Sequence, residues 1–572
     1  MPRASPTSRS AGWTHRVSGA GLSSADRLAL LLAAGFLAAA LHGLGDADIV
    51  GDDEAREAGL VQEIVAGHWL LPRFNGDTLP DKPLLYHWLA ALPCGAAGFS
   101  EAAVRLPSAF AGAALVAWTA RFGAELGGPP VGVAAAVLLG TMPSLFDHSR
   151  VARPDVLLTL LLSVALGLAF RWWRDESPAA ATGALAVLGL ATLAKGPVAP
   201  ALFALTVAAF LWWERSLGRL RRLFTPAGVF LALGLGLGWY GVALAGWGAA
   251  FVREHLVGRY LGNLVGGFGT VDYTPAPRPL AYHLAFYPTH LLASALPWTP
   301  FTAAALWRLG RAGGLRDARA RFLLCWAAAP VVAFTPAATK LRHYLLPSLP
   351  PLALLTAPAV IALLETSARH LERGLALRTA GLLLGTAALA AGGWFLADGW
   401  ALLSRSDRST LEALLPLLAG RPGAMAAAAV GFALGIAVVV ARRRPWPALV
   451  GLVVAGTAAW MIVGAPAVER TLARRDSLRP FARAIAARYP APAPIAFYGR
   501  PVRAVVVYLG RHARTLDERP GAITAGLPVV AEEEAYGRLA ADHVVGAPLL
   551  SAEGRLGNRR RGRLVLAEGT VP

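Results

Sequence analysis

The run LALLLAAGFLAAALHGLG (28–45) is followed, five residues on, by GDDEAREAG (51–59). The first stretch is apolar throughout and close to the roughly 20 residues of helix that a bilayer's hydrocarbon core requires. The second carries five charged side chains in nine. Acidic groups next to hydrocarbon are costly and mark functional sites by default. Together the two stretches predict a membrane helix that delivers a carboxylate cluster to one membrane face.

Runs like the first recur along the chain. They predict about 13 spans: 28–45, 103–120, 130–145, 156–172, 181–194, 197–213, 224–247, 289–307, 322–338, 345–364, 376–397, 424–441 and 446–464. Of the 572 residues, 55% are hydrophobic and only 16% charged, with a mean hydropathy of +0.50. A soluble globular chain has about 25% charged residues. The expected fold class is therefore an α-helical polytopic membrane protein embedded among membrane lipids. The formal charge of +19 does not predict a nucleic-acid partner, because the basic residues fall in short clusters between apolar runs, as in cytoplasmic membrane loops. Cys94 and Cys325 lie far apart in apolar surroundings and give neither a disulfide framework nor a metal spacing.

The arginine clusters at 171–174, 215–222, 308–321, 369–378 and 442–444 assign those loops to the inside by the positive-inside rule. Residues 1–27 are then a cytoplasmic tail and 28–464 the membrane domain. The large outside loops are 46–102 and 248–288, and an odd number of spans puts 465–572 outside. PIAFYG (494–499) and GLPVVA (526–531) read as strands; SLRPFARAIAARY (477–489) and EEEAYGRLAAD (532–542) read as helices. That alternation predicts a small C-terminal α/β domain.

Of 54 basic residues only three are lysines, Lys82, Lys195 and Lys340. Where arginine supplies ordinary positive charge, a surviving lysine stands out as a compact ammonium that can bind phosphate as a point charge. The competing reading is chance survival at sites where a long side chain snorkels to the interface. Asp53 and Asp155 both fall at outer ends of spans. Either they or Asp52 could cap a helix N-terminus, but one cap does not need the cluster 52–54. The same face gathers Glu254, His255, Arg259, Tyr260, Arg342, His343 and Tyr344. Carboxylates that can activate a hydroxyl beside cations that can stabilise a leaving phosphate point to group transfer from a lipid phosphate.

The ordered motifs DDEAREAGLVQEIVAGHWLLPRFNGDTLPDKPLLYHWLAAL, EAAVRLPSAFAG, SRVARPDVLLT, AKGP, EHLVGRY, ALPWTPF and TKLRHYLLPSLPPLALL resemble the bacterial lipid A aminoarabinose transferases. They are also similar to the protein O-mannosyltransferases, within the glycosyltransferase C superfamily. The likeness runs over about 25–365. It implies inverting transfer of a sugar from a polyprenyl-phosphate donor, without a nucleotide cofactor, on the periplasmic side of the bacterial inner membrane. The implied acceptor is a glycolipid of the lipid A type, a polysaccharide or a protein. In this reading Asp53, Glu54 and Asp155 are the catalytic acids. Lys82, Arg259, Lys340, Arg342 and Tyr344 surround the donor phosphate. Relatives often have Glu where this chain has Asp81; that acid and a histidine like His255 can hold a divalent metal ion. Two other readings stay open: a transporter or flippase of lipid-linked sugars, which calls for charges near the bilayer midplane, and a glycan polymerase or ligase.

Overall fold

The structure, a computed structural model, describes residues 24–261, 280–311, 313–337, 339–365, 445–557 and 561–570. The expected spans 376–397 and 424–441, and much of the loop 248–288, lie outside these residues. Among the described residues six helices are long and apolar enough to cross a membrane: Glu101–Gly127, Asp155–Asp175, Pro178–Lys195, Pro226–His255, Arg342–Glu365 and Trp446–Asp476. The chain is a multi-pass membrane protein.

Nine helices organise the described residues from 24 to 213. They are α1 (Ser24–Leu41), α2 (Asp52–Val65), α3 (Leu85–Ala97), α4 (Glu101–Gly127), α5 (Pro129–Gly140), α6 (Pro143–His148), α7 (Asp155–Asp175), α8 (Pro178–Lys195) and α9 (Val198–Trp213). Helix α4 packs on α1, α5 and α7, and α8 packs on α7 and on the helix Pro226–Phe251. The turn between α8 and α9 rests on Gly196, whose φ of +76° is open to glycine at no steric cost. It leaves Lys195 as the last residue of α8. The span expected at 289–307 is two helices, Leu280–Ser294 and Thr299–Arg311. Pro297 falls between them and has no N–H with which to continue the ladder.

The acidic cluster is not a loop before a helix but the first turn of α2, where carboxylates oppose the positive end of the helix dipole. Its N-cap is Gly51, and no side chain caps it. The capping role expected for Asp52 is therefore not found. Asp52 instead pairs with Arg503 in the C-terminal part of the chain. Asp155 likewise begins α7 without capping it; the N-cap there is Pro154.

Residues 479–568 form a mixed sheet with flanking helices, built from β1 (Ala496–Phe497), β2 (Arg514–Thr515), β3 (Pro528–Glu532), β4 (Leu550–Arg555) and β5 (Arg561–Glu568). The order is β2-β1-β3-β5-β4. β1 runs parallel to β2 and β3, and β5 antiparallel to β3 and β4. Helices Arg479–Arg488 and Glu533–Ala541 stand where the sequence pattern puts them. The helix Arg503–Leu509, a short VVVYL run that reads equally as a strand, packs against α2. Asn75 and Ala513 exchange two hydrogen bonds of 2.8 Å, and Gln62 donates to the Val507 carbonyl at 3.1 Å. Helix α2 is thus fastened on one side to the C-terminal domain.

Gly59 lets α2 lie against the loop that follows it. A Cβ at this position would sit 2.3 Å from Cε2 of Phe74, which is itself buried. Overpacking of this kind costs about 1–3 kcal/mol. Gly59→Ala is expected to destabilise the detergent-solubilised protein by about that amount, read as a thermal midpoint lower by several degrees; an unchanged midpoint would show that the Phe74 ring yields freely.

Candidate active site

On a helix, positions i, i+3 and i+4 share one face. Asp53, Arg56 and Glu57 do so on α2, and they turn a charged face inward. Arg56 is buried, and its Nη2 lies 2.9 Å from Asp81 Oδ2, 3.3 Å from Asp53 Oδ1 and 3.3 Å from Glu57 Oε1. Lys82, next to Asp81 in the loop before α3, donates to Glu57. From the start of α7, Arg153 reaches Asp53 (Nη2 to Oδ2, 3.5 Å) and Asp155 (Nε to Oδ2, 3.3 Å). Its Nη2 also lies 3.0 Å from His343 Nε2. Since guanidinium only donates, that histidine nitrogen accepts. Lys195, from the end of α8, pairs with Asp155 and stands 5.3 Å from the centre of the Tyr344 ring.

These groups wall a cavity of about 210 Å³. Its lining combines charged groups, Asp53, Arg56, Asp81, Lys82, Arg153, Asp155 and Lys195, with apolar ones, Leu158, Val198, Leu202, Phe334, Leu341 and Pro347, and with Tyr344 and His343. Burial pushes the Asp53 carboxyl up, but Arg56, Arg153 and Lys82 outweigh it and hold the group well below the usual carboxylate range. Glu57 behaves alike: burial raises it, and Lys82, the His87 hydrogen bond and Arg56 bring it down to about 2. Both are anions at neutral pH. The lining thus offers fixed cations whose counter-charges are already in place, together with apolar surface, and an anionic head with an apolar tail would match that mixture.

The structure brings together Asp53, Asp81, Lys82, Asp155 and Tyr344 from the residues singled out in the sequence. Glu54 does not face the cavity. Its carboxylate is gripped by Arg105 (Nε to Oε1, 2.7 Å; Nη2 to Oε2, 3.2 Å) and accepts the Ala152 N–H at 3.0 Å. Arg105 in turn donates to the Leu44 and Ala47 carbonyls, both at 2.8 Å. Glu54 therefore ties α2 to α4 and to the entry of α7. Lys340 is also off the wall. Its ammonium donates to the carbonyls of Phe334 (3.0 Å) and Thr335, at the end of the helix Ala318–Phe334, where the dipole favours a cation. Arg342 is exposed and off the wall. Arg259 lies in the helix Val252–Leu261, and its side chain is outside the described residues. His255 is buried, 2.7 Å from the Pro80 carbonyl through Nδ1, and stacks on Phe251.

The residues that sequence reasoning passed over are Arg56, Glu57 and Arg153. The signal for the first two was present in their spacing from Asp53. It was obscured because 51 of the 54 basic residues are arginine, leaving a lysine conspicuous and an arginine not.

Residues 81–240 match a family model described as dolichyl-phosphate-mannose-protein mannosyltransferase. A curated relative from Pseudomonas fluorescens (strain Pf0-1), an undecaprenyl phosphate-alpha-4-amino-4-deoxy-L-arabinose arabinosyl transferase, is 28% identical over 326 residues, 55% of this chain and 54% of its own length. A relative of the same name from Shewanella sediminis is 30% identical over 365 residues, 61% of this chain and 62% of its own length. The crystal structure of ArnT from Cupriavidus metallidurans bound to undecaprenyl phosphate superposes with a TM-score of 0.74, over 95% of this chain and 98% of that one, at 21% identity. The fold is ArnT-like. The chain spans just over half to about three fifths of the length of these curated relatives. The family-model match takes in Asp81, Lys82, Arg153, Asp155 and Lys195 but starts after α2. The ArnT-like fold is what carries Asp53 and Arg56 to the same cavity.

Deleting one partner of a buried ion pair costs about 3–5 kcal/mol, because the remaining charge stays buried. Arg56→Leu leaves three carboxylates facing one another and is expected to unfold the detergent-solubilised protein at a clearly lower temperature than wild type. Lys340→Ala, which removes a helix-end contact away from the cavity, is expected to shift the midpoint by less than half as much.

Proposed function

We propose that this chain is an inverting glycosyltransferase of the glycosyltransferase C type. It transfers a sugar from a polyprenyl-phosphate donor to a glycolipid acceptor of the lipid A type. The observation that carries this reading is the cavity, whose lining combines four cations, Arg56, Lys82, Arg153 and Lys195, with apolar side chains. The arabinosyl transferase names of the relatives support the donor class. In this reading the protein lies in the bacterial inner membrane with its cavity on the periplasmic side. Residues 1–27 are cytoplasmic, 28–464 form a domain of about 13 spans, and 465–572 form a periplasmic α/β domain. The outward placement follows from the arginine bias of the opposite loops.

The donor phosphate sits against Lys82 and Arg56, with Lys195 and Tyr344 on its far side. As the bond between the sugar's anomeric carbon and the phosphate oxygen breaks, the electron pair passes to the phosphate, and fixed cations stabilise the charge that develops there. The acceptor oxygen attacks from the opposite face and inverts that carbon. A base held as far below its usual range as Asp53 is a weak proton acceptor, since general-base catalysis is best served by a pKa near the working pH. Asp53 therefore positions the acceptor, and Arg153 fixes Asp53 in turn. An acceptor that is already a phosphate oxygen needs no base.

A divalent ion fits the protein side of the cavity poorly. Among the described residues no three His, Cys, Asp or Glu side chains gather to hold one, and Asp81 is drawn to Arg56. Asp81 and His255 would supply two ligands, and the rest would have to come from the substrate. The mechanism is derived without such an ion.

Two measurements test this reading with purified protein and a radiolabelled polyprenyl-phosphate sugar. Asp53→Asn and Lys82→Ala are each expected to lower kcat/KM by about 100-fold or more, the size of a lost charge contact in a transition state; full activity in both folded variants would refute the assignment. The pH–rate profile is the second. Asp53, with a depressed pKa, stays ionised as pH falls from 8 to 5, so its titration contributes no acid limb in that window. A limb that disappears in Asp53→Asn would restore the base role.

A further inference from the structure

Glu57 differs from the other carboxylates of the cluster. Asp53, Asp81 and Asp155 line the cavity, and Glu57 does not. Its side chain is 0% exposed, and all its partners are side chains. Oε1 accepts from the Lys82 ammonium and from Arg56 at 3.3 Å. Oε2 lies 2.6 Å from His87 Nε2. His87, on α3, is also fully buried, and among the described residues its Nδ1 has no hydrogen-bond partner. A bare ring nitrogen tolerates that better than an orphaned N–H, whose burial forfeits a strong donor. An ionised carboxylate only accepts, so Nε2 carries the proton directed at Glu57. One carboxylate thus joins α2, the loop carrying Lys82, and α3. Lys82 has particular need of such an anchor, because its ammonium rides on a flexible four-carbon stem, whereas arginine's planar fork is preorganised.

We propose that Glu57, held by His87, is a positioning residue that fixes the Lys82 ammonium at the cavity wall and balances its charge when no ligand phosphate is there. The proposal rests on the reading of Lys82 as a donor-phosphate ligand. Glu57 touches neither donor nor acceptor and acts through Lys82.

The chain's three lysines make a direct test possible. Reductive methylation of the full-length protein, followed by peptide mass spectrometry, reports Lys82, Lys195 and Lys340 separately. A lysine nitrogen held by hydrogen bond against a buried carboxylate is shielded from the reagent. Glu57→Gln is expected to raise the methylation rate of Lys82 relative to Lys340 by about tenfold, a typical coupling between contacting charged groups. His87→Phe, which removes the Nε2–H that Glu57 accepts, should give a smaller rise of the same kind, and it replaces the first variant if that one does not fold. An unchanged Lys82-to-Lys340 ratio, or a rise shared equally by all three lysines, would overturn the proposal. Turnover supplies the second arm. Glu57→Gln should lower kcat/KM about tenfold in the wild-type background and cause no further loss in Lys82→Ala. Equal losses in both backgrounds, or wild-type transfer by Glu57→Gln while Lys82→Ala is impaired, would overturn the positioning role. Wild-type transfer by Lys82→Ala would refute the donor-phosphate reading instead, while the labelling result would still report on the contact.

Discussion

The guanidinium of Arg56 is the point on which the site turns. It is buried beside three carboxylates, Asp53, Glu57 and Asp81, that come from a helix and a loop. A buried charge must be paired, or it costs several kcal/mol. The pairing holds the first turn of α2 against the loop that carries Lys82. Once that contact exists, Asp53 can meet Arg153 only from one direction, and Arg153 then brings Asp155 and the start of α7 into the same wall. The cavity's charged lining is in this sense one connected ion-pair network rather than a set of separately placed residues.

The rest of the fold keeps that network in register. Glu54 and Arg105 lock the back of α2 to α4, and Asp52 and Arg503 lock it to the C-terminal domain. Arg479 adds bridges to Asp48 at 2.7 Å and Glu101 at 2.9 Å, so the segments before and after α2 are held by the same domain. The four acids within 52–57 accordingly face different ways. Asp52 points to the tail domain, Glu54 to the membrane helices, Glu57 to the interior and Asp53 to the cavity. A rigid scaffold of this kind suits transfer chemistry, in which fixed cations must already be in place when charge develops.

Much of this was legible before any coordinates. The apolar runs gave the membrane class, and Asp53 of the acidic cluster, the rare Lys82, and Arg153 and Asp155 of the Arg-Pro-Asp run line one cavity. The start of α2 was not legible, because a run of acids reads as part of an outer loop until the dipole at a helix N-terminus is weighed. Glu54 and Asp53 are neighbours in sequence, but about 100° of helical rotation separates them, and only three-dimensional packing decides which one faces the cavity. Lys340 stands out by its rarity, yet its ammonium is spent on the carbonyls of Phe334 and Thr335. Glu57 and His87 could not be paired from sequence, since they stand 30 positions apart with a loop between them. The strands beyond residue 545 were missed because LSAEGR and RGRLVLAE carry too many charges to read as a buried sheet.

The central claim is that the cation wall binds a lipid-linked phosphate. A cryo-electron microscopy structure of the protein with undecaprenyl phosphate tests it most directly. The account predicts a phosphate within hydrogen-bonding distance, about 3 Å, of the Lys82 ammonium and the Arg56 guanidinium, with the prenyl chain running along Leu158, Val198 and Leu202. A phosphate seated elsewhere, with Lys82 still held only by Glu57, would contradict it.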